Sequence, residues 1–248
     1  MKVTLFRSEL DATYGLRPGF ALSLRLPYDV KETRVHYTTL SGAPFVPPYG
    51  DIHHRTETLR GISDAELLLL WAPSTRGRSH WQFGIGTSVP LGDTVADPIA
   101  LGRAGKEHQH LQFGIGVFAP EVEVAWRRPI RTFLASAVVQ ATIPVSTNRH
   151  GFRAPVNVQW SAGSSFPVAR TRVGLDLTGQ YQTVGRWNGE ADEGTGFSNG
   201  GLRLQLSIPA ARRVTIAPSV YRELFSHGMH DETFAQGTTL GLSINRSF

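Results

Sequence analysis

Apolar side chains recur at every second position over long stretches of this chain, and no other feature of the sequence constrains its fold as strongly. The stretch 202–208 reads LRLQLSI, in which leucine or isoleucine alternates with Arg, Gln and Ser. Successive side chains of a β-strand point to opposite faces of the sheet. The sequence therefore predicts strands with one apolar and one polar face, and it shows no stretch of ten or more residues with the apolar period of a helix.

The length of the alternating segments indicates what the apolar face contacts. Strands in soluble sandwiches usually run about 5 to 6 residues. Many segments here alternate over about 9 to 14 residues, which suits the ~9 to 11 residues of a tilted strand that crosses a bilayer. The predicted fold class is all-β, an antiparallel transmembrane β-barrel that forms one domain over residues 1–248. Eleven strands are predicted, at 3–14, 19–37, 62–72, 80–91, 117–127, 131–146, 153–166, 171–184, 200–208, 213–224 and 238–248.

The connections between the predicted strands alternate in length. Short, arginine-bearing breaks lie at 16–19, 73–79, 127–131, 167–172 and 209–213. Longer polar stretches lie between them, at 38–60, 92–116, 147–153, 185–199 and 225–238. Transmembrane barrels have short periplasmic turns and longer extracellular loops, so this order favours a barrel over a sandwich. Six aromatic residues near predicted strand ends fit an interfacial belt, namely Trp71, Trp81, Trp126, Trp160, Tyr28 and Tyr181.

An odd number of strands does not fit a closed bacterial barrel, because single-chain barrels of this kind have an even number. An open sheet edge in lipid leaves backbone groups unpaired, at a cost of several kcal/mol each. We therefore expect about twelve strands, with a leader and a first strand removed by a late start codon or by truncation of the expressed chain. An upstream reading frame that encodes neither would count against this expectation.

Composition excludes several other classes of protein. The chain has no cysteine, which rules out disulfides, thiolate zinc sites and thiol catalysis. Its formal charge of +5 is spread along the sequence rather than gathered in one basic helix or arm, so nucleic acid is not an expected partner. No apolar run reaches the ~18 to 20 residues of a membrane-spanning helix. The N-terminal stretch MKVTLFRSELDA lacks the apolar core and cleavage site of a secretion leader.

Five stretches of the chain resemble a known family. They read YGLRPGFALSLRLPY, GISDAELLLLWAP, WQFGIGTSVPLGDT, HQHLQFGIGVFAPEVEVAWRRP and VYRELFSHGMHDETFAQGTTLGLSINRSF. In this order they are similar to the outer-membrane transporters of the meta-pathway phenol-degradation type and related barrels. The resemblance implies a Gram-negative outer-membrane barrel that passes small, often hydrophobic or aromatic molecules. The expected partners are outer-membrane lipid, lipopolysaccharide, the outer-membrane assembly machinery and a small-molecule solute.

The resemblance also implies a role for the end of the chain. Outer-membrane barrels commonly close on alternating apolar residues and a terminal aromatic, which serve as an insertion signal. The residues that match this signal are Leu240, Leu242, Ile244 and Phe248, whereas Arg246 departs from it.

The polar face of the predicted strands would line the interior of the barrel. The residues predicted to line a pore are Arg7, Glu9, Asp11, Arg25, Asp64, Glu66, Glu121, Glu123, Arg127, Gln140, Asp176, Gln180, Arg203 and Glu223. Asp64 with Glu66, and Glu121 with Glu123, form close pairs of carboxylates. Such pairs can do acid–base chemistry or can neutralise inward arginines. A salt-bridged wall is the favoured interpretation, a solute-selective pore comes second, and catalysis comes last.

Histidines and other motifs predict neither a metal site nor an enzyme. Histidines cluster as His53 with His54, as His108 with His110, and as His227 with Met229, His230 and Asp231. Ligands of a metal site converge with fixed geometry, which neighbours in loops rarely provide, so solvated histidines are expected, with a weak metal site or a loop latch as the alternative. No set of Ser, His and Asn, or of Asp and His, marks an outer-membrane lipase or protease. Neither catalysis nor a cofactor is expected.

The function predicted from these features is passive diffusion of a small solute through a channel or facilitator in the bacterial outer membrane, with hydrophobic or aromatic molecules as candidates. Charged groups inside the barrel would set the selectivity, and the loops 38–60 and 92–116 would narrow its mouth. Two alternatives stay open. One is a closed barrel that displays its loops to partners, and the other is a soluble β-sandwich or ligand-binding barrel.

Overall fold

The structure is a computed structural model that describes residues 2–48, 52, 55–74, 77–228 and 237–248. Most of it is one long antiparallel sheet. The strands of this sheet are β1 (Lys2–Arg17), β2 (Phe20–Arg34), β3 (Glu57–Ile62), β4 (Ala65–Trp71), β5 (His80–Val89), β6 (Ala119–Ile130), β7 (Phe133–Thr142), β9 (Asn157–Val168), β10 (Thr171–Gln182), β13 (Phe197–Ala211), β14 (Val214–Gly228) and β15 (Thr238–Arg246). A small second sheet contains β8 (Phe152–Arg153), β11 (Gly185–Trp187) and β12 (Glu190–Asp192), and one short helix, α1, spans Pro98–Arg103.

The long sheet is a meander in which successive strands lie side by side. Their order is β1-β2-β4-β5-β6-β7-β9-β10-β13-β14-β15, with β3 paired to the outer part of β2. Every pair is antiparallel. The eleven strands along this path confirm the eleven predicted from the alternation. The sheet curls into the wall of an incomplete cylinder.

The connections are short at one end of the curled sheet and long at the other, as predicted. The turns 18–19, 131–132, 169–170 and 212–213 and the break 72–79 lie at the first end, which we call the turn end. The connections 35–56, 90–118, 143–156, 183–196 and 229–237 join strand ends that lie at the second end, which we call the loop end. At the first turn Gly19 has a φ of 81°, a left-handed conformation that glycine adopts without strain.

The two faces of the sheet differ in the way the alternation predicts. Val124 on β6, Leu204 on β13 and Leu242 on β15 lie on one face, and each keeps more than a third of its surface exposed. We call this the apolar face and its opposite the inner face. No other sheet or helix of the described residues covers the apolar face, whereas a soluble β-sandwich buries such faces between two sheets. The sandwich alternative is therefore wrong, and the chain has the fold of a transmembrane β-barrel.

The sheet has two edges, formed by β1 and β15. In the described residues β1 pairs only with β2, and β15 pairs only with β14. Both edge strands run from the loop end to the turn end, so direct pairing between them would be parallel, unlike every other pair in the sheet. The barrel of about twelve strands stays a prediction.

Several sequence-based boundaries are wrong, and prolines account for two of them. The predicted strand 62–72 is interrupted at 63 and 64, opposite Pro27 of β2, which has no N–H to donate to the ladder. Most of the predicted break 127–131 is strand, since β6 continues to Ile130 and the turn begins at Arg131. Pro129 lies near the end of β6, where a proline without an N–H group disturbs few ladder hydrogen bonds. The predicted closing strand 238–248 ends at Arg246, so Phe248 lies beyond it.

The long connections fold into a compact unit that the sequence analysis did not predict. Phe152, Ala154 and Trp187 are buried together, and apolar side chains of 90–118 pack against them. We call α1, β8, β11 and β12, with the residues between β11 and β12, the outer cap. The alternation of long segments did not reveal this cap because its strands have only two or three residues.

Polar contacts at its surface hold the outer cap together. The side chain of Asp97 caps α1 by accepting from the backbone N–H of Ile99 at 2.9 Å. Arg103, at the other end of α1, donates to Glu190 at 2.9 Å. The indole of Trp187 donates to Asp192, and burial nonetheless raises the pKa of this carboxyl group.

The aromatic residues predicted to form an interfacial belt lie on the apolar face. Trp71, Trp81 and Trp126 lie near the turn end, and Tyr28, Trp160 and Tyr181 lie toward the loop end. Two levels of aromatic side chains fit the two interfaces of a bilayer. Among the described residues, no helix combines the length and the apolar character needed to cross a membrane.

Replacing Leu204 with Arg is expected to lower the free energy of unfolding in a bilayer by about 2 to 4 kcal/mol, because the charge would enter hydrocarbon. The matched variant Gln205→Arg places the same charge on the inner face and is expected to cost less than ~1 kcal/mol. Denaturant titration of the protein folded into lipid vesicles measures both values. Equal losses for the two variants would contradict the assignment of the faces.

Candidate functional site on the inner face

The residues predicted to line a pore lie on the inner face, with Asp64 in the interruption between β3 and β4. Strand register places them there. Asp11 is opposite Arg25, which is opposite Glu66, and Glu123 is opposite Gln140. The structure joins some of these residues into a charge cluster and holds others apart.

Arg25 is the centre of that cluster. Its Nη1 lies 2.6 Å from Oε2 of Glu66 on β4. Its Nε lies 3.3 Å from Asp11 and 3.6 Å from Glu9, both on β1. Glu66 also accepts from Nε2 of Gln140 on β7 at 2.8 Å, although β5 and β6 lie between the two strands, so this bond crosses the concave interior. In what we call the Arg25 cluster, one guanidinium thus faces three carboxylates, and the local charge is negative.

A second ion pair lies nearer the loop end. Arg7 donates through Nε and Nη2 to the two oxygens of Asp29, each at 2.8 Å, and Ser63 donates to the same carboxylate at 2.6 Å. Asp29 is only 1% exposed. A bidentate guanidinium–carboxylate pair has a defined geometry, so this contact fixes β1 and the β3–β4 interruption against β2. Asp29 is not among the residues predicted to line a pore, although it lies on the same face as Arg25.

The two carboxylate pairs that suggested acid–base chemistry do not form shared proton sites. Glu66 binds Arg25, whereas Asp64 accepts from backbone N–H groups of the 90–118 connection. Glu123 accepts from Gln82 at 3.1 Å. Glu121 is 1% exposed, accepts from Thr142 through Oε1 at 3.0 Å and has no partner for Oε2 among the described residues. Each carboxylate therefore has its own environment, which favours a structural or selective role over catalysis.

The remaining predicted pore residues lie apart from the Arg25 cluster. Asp176 on β10 pairs with Arg203 on β13 at 3.3 Å. Gln180 follows Asp176 on the same face of β10, and Glu223 lies on the inner face of β14. Arg127 lies near the turn end of β6. The polar lining thus extends around the curled sheet rather than forming one site.

An apolar part of the inner face was missed by the sequence analysis. Leu68 and Leu70 share the face of Glu66, and Leu68 is only 4% exposed. A Cβ on Gly84 would lie 3.1 Å from Leu70 and 3.0 Å from the Cβ of Glu123, so this glycine leaves room for the side chains around it. On β7 the side chain of Val138 also faces inward. The signal was present in the run LLLL, which breaks the alternation at 67–70.

The connection 90–118 is anchored inside the loop end by Asp64. Its Oδ1 accepts from the N–H of Gly92 at 2.9 Å and its Oδ2 from the N–H of Ile115 at 2.7 Å. Phe113 and Gly114 donate in turn to the carbonyl of Asp93. The backbone approaches so closely that a Cβ on Gly92 would lie 2.5 Å from Gly114. The resembling stretches GISDAELLLLWAP, WQFGIGTSVPLGDT and HQHLQFGIG therefore meet at one anchor.

The anchored part of this connection leans over the inner face. Lys31 on β2 donates to the carbonyl of Gln112 at 2.5 Å, and its ammonium lies 4.6 Å from the centroid of the Phe113 ring. The ring of Phe113 packs against Gly61 on β3, where a Cβ would lie 3.2 Å away. Gln109 donates to Glu57 at the start of β3. We call residues 106–116 the mouth segment, because they cover the loop end of β2 and β3.

Histidines do not assemble a metal site in the described part of the chain. The rings of His108 and His110 lie 5.2 Å apart and edge to face, and His108 is 6% exposed, so it is not solvated as expected. No group of three or more His, Asp or Glu residues is placed to hold a metal ion among the described residues. The predicted clusters at His53 and His54, and at Met229, His230 and Asp231, lie outside the described residues.

The residues predicted to form an insertion signal lie at the edge of the sheet. Leu240, Leu242 and Ile244 lie on the apolar face of β15 and are 80%, 68% and 69% exposed. Phe248 follows the strand, and its ring lies 5.0 Å from the guanidinium carbon of Arg246. Their role in assembly stays a prediction.

Comparison with known proteins bears on the fold. No family model matches the sequence, and no curated protein matches it. An outer membrane channel from Pseudomonas putida F1 is similar in structure, with a TM-score of 0.62 and 12% identity over 98% of this chain and 80% of that chain. OmpT, an outer membrane protein of Vibrio cholerae, is less similar: its loop L8 deletion mutant gives a TM-score of 0.49 at 11% identity, over 97% of this chain and 89% of that one.

The similarity to the Pseudomonas putida channel confirms the predicted fold class, an antiparallel outer-membrane β-barrel. It agrees with the predicted location in a bacterial outer membrane. The identity to the channel is low, so the likeness concerns the fold alone. The narrower family named from the resemblance is not confirmed by any of these matches.

Replacing Asp64 with Ala is expected to release the mouth segment, because two charge-assisted hydrogen bonds of about 1.5 to 3 kcal/mol each would be lost. Trypsin should then cut at Arg103 and Lys106 at least ~10-fold faster in the folded protein. The control Asp93→Asn keeps the backbone carbonyl that accepts from Phe113 and should leave the rate unchanged. Unchanged cleavage of the Asp64 variant would show that Asp64 is not the anchor.

Proposed function

We propose that the protein is an outer-membrane channel or facilitator through which a small solute diffuses passively. The observation that carries the proposal is the Arg25 cluster on the inner face, in which one guanidinium faces three carboxylates. The cluster therefore keeps a net negative charge. An unbalanced charge is costly to bury in a barrel filled by its own side chains, so the cluster favours an interior that contains water. The solved channel of similar fold supports the same function.

The composition of the inner face indicates the class of solute. Leu70 and Val138 are half-buried on this face and provide apolar contacts beside the negative Arg25 cluster. A small hydrophobic or aromatic molecule that carries a polar group would find both kinds of contact along one wall. Such mixed walls orient ligands, since apolar surface supplies attraction and a few polar groups fix the orientation.

The mouth segment would act as the constriction at the outer entrance. It is held to the inner face by Asp64, in the β3–β4 interruption, and by Lys31 on β2. A fixed constriction needs such anchors, because a loop without contacts would move on the nanosecond to microsecond scale. The loops 38–60 and 92–116 are predicted from the sequence to narrow the mouth of the barrel. The contacts of the mouth segment support this role for 92–116.

A second candidate function is a closed barrel that displays its loops to a partner. The outer cap favours this candidate, because its own buried cluster of Phe152, Ala154 and Trp187 gives it a defined shape. An ordered surface at the loop end is what a binding partner would need. Conductance distinguishes the two functions, since a closed barrel passes no ions.

The variant Glu66→Gln is expected to shift the reversal potential in a potassium chloride gradient toward anion permeation. Removing one of three carboxylates around Arg25 makes the local field more positive, which should lower the cation-to-anion permeability ratio about twofold. Planar bilayer recording measures this ratio. The control Glu190→Gln removes an equal charge from the outer cap and should leave it unchanged.

Two outcomes of this recording would count against the proposal. If the wild-type protein passes no current under any condition, the channel is excluded and the closed barrel is favoured. If Glu66→Gln and Glu190→Gln shift the ratio equally, the Arg25 cluster is not on the path of the ions.

A further inference from the structure

The turn end of the barrel carries a concentration of positive charge that the proposed function does not use. The segments at this end are 16–20, 72–80, 127–133, 167–172, 209–214 and 246–248. Together they contain 11 arginines and no Asp or Glu. The long connections at the opposite end mix both signs of charge. The molecule therefore has a strong charge asymmetry along its axis.

These arginines are not neutralised by the protein. Ten of them are described, and all ten are exposed: Arg17, Arg78, Arg127, Arg128, Arg131, Arg170, Arg172, Arg212, Arg213 and Arg246. Within the described ranges, none forms an ion pair with a carboxylate. We call these ten residues the arginine ring. Ten guanidinium groups without an ion pair around one rim create a positive potential that attracts anions outside the chain.

Aromatic side chains of the apolar face place the arginine ring at a definite depth in the membrane. Trp71 and Phe83 have ring centroids 5.6 Å apart, and Phe133 and Phe166 have centroids 5.5 Å apart. The full set near the turn end is Tyr14, Phe20, Trp71, Trp81, Phe83, Trp126, Phe133 and Phe166. Aromatic belts lie at the level of the lipid headgroups. The arginine ring, just beyond this belt, is therefore at the level of the phosphates.

Arg128 projects toward lipid rather than toward the interior, and two further arginines lie in turns near it. Arg128 pairs in register with Ala135, on the apolar face of β6 and β7. Arg131 and Arg170 lie in the turns of neighbouring hairpins, next to Phe133 and the end of β9. Long arginine side chains at such positions extend along apolar surface and place the guanidinium at the interface.

We propose that the arginines of this ring that do not face the interior, Arg128, Arg131 and Arg170 in particular, bind the phosphate groups of anionic phospholipids in the leaflet that surrounds the turn end. Guanidinium groups bind phosphate through two parallel hydrogen bonds and are weakly hydrated, which suits a lipid headgroup. Each arginine near a membrane surface raises the affinity for anionic lipid about fivefold. The inference rests on the barrel fold and is independent of whether the barrel conducts.

The test uses the full chain reconstituted in phosphatidylcholine vesicles that contain phosphatidylglycerol. Spin-labelled versions of the two lipids report, by electron paramagnetic resonance, which lipid is immobilised at the protein surface. The wild-type protein is expected to prefer phosphatidylglycerol about fivefold or more. The triple variant Arg128→Gln, Arg131→Gln, Arg170→Gln is expected to bring this ratio close to ~1.

The matched control removes three arginines from the loop end, as Arg149→Gln, Arg153→Gln, Arg186→Gln. It should keep the wild-type preference, which separates a local site from an effect of net charge. An unchanged preference in the turn-end variant, or an equal loss in the control, would overturn the proposal. A turn-end variant that keeps its lipid preference but shifts the reversal potential in planar bilayers would also overturn it, because the arginines would then serve the pore.

Discussion

The structure depends on backbone hydrogen bonding in a sheet whose apolar face has no protein to cover it. Every strand on the path between β1 and β15 pairs with antiparallel neighbours on both sides, and leucines such as Leu204 and Leu242 remain exposed on the outside. In water this face would cause aggregation. Contact with lipid hydrocarbon stabilises this apolar face, provided that the backbone N–H and C=O groups are paired within the sheet. The polar inner face follows from the same alternation, since side chains that do not point to lipid must point inward.

Polar contacts on the inner face connect strands that are not neighbours in the sheet. The bond from Gln140 to Glu66 links β7 to β4 over two intervening strands. Gly84 lies on β5 between them and leaves room for Leu68 and Leu70, whereas a Cβ on Gly86 would meet the backbone of Leu67. At the loop end, Asp64 and Lys31 hold the mouth segment over the inner face. The proposed channel would use these parts together, as a charged wall, apolar contacts and a fixed constriction.

Much of this arrangement was predictable, because apolar and polar residues alternate along a strand that has one face in lipid and the other in the barrel interior. That alternation predicted the eleven strands, the order of short and long connections and the inward position of residues such as Arg25 and Glu66. It could not predict the outer cap, because strands of two or three residues and the six-residue helix α1 are too short to show a periodic pattern of apolar residues. It also could not predict which carboxylate binds which partner: Asp64 and Glu66 are two residues apart, yet one holds a loop and the other an arginine. Those contacts depend on the curvature of the sheet and on residues distant in sequence.

The central claim is that the apolar face touches hydrocarbon while the inner face stays polar, and labelling along one strand tests it most directly. Spin labels placed singly at positions 202 to 207 of β13, with the protein in lipid vesicles, report collisions with oxygen, which dissolves in lipid, and with a water-soluble nickel complex. The account predicts that labels at 202, 204 and 206 respond to oxygen and that labels at 203, 205 and 207 respond to nickel. Equal access to the nickel complex at all six positions, or burial of the even positions from both reagents, would contradict it.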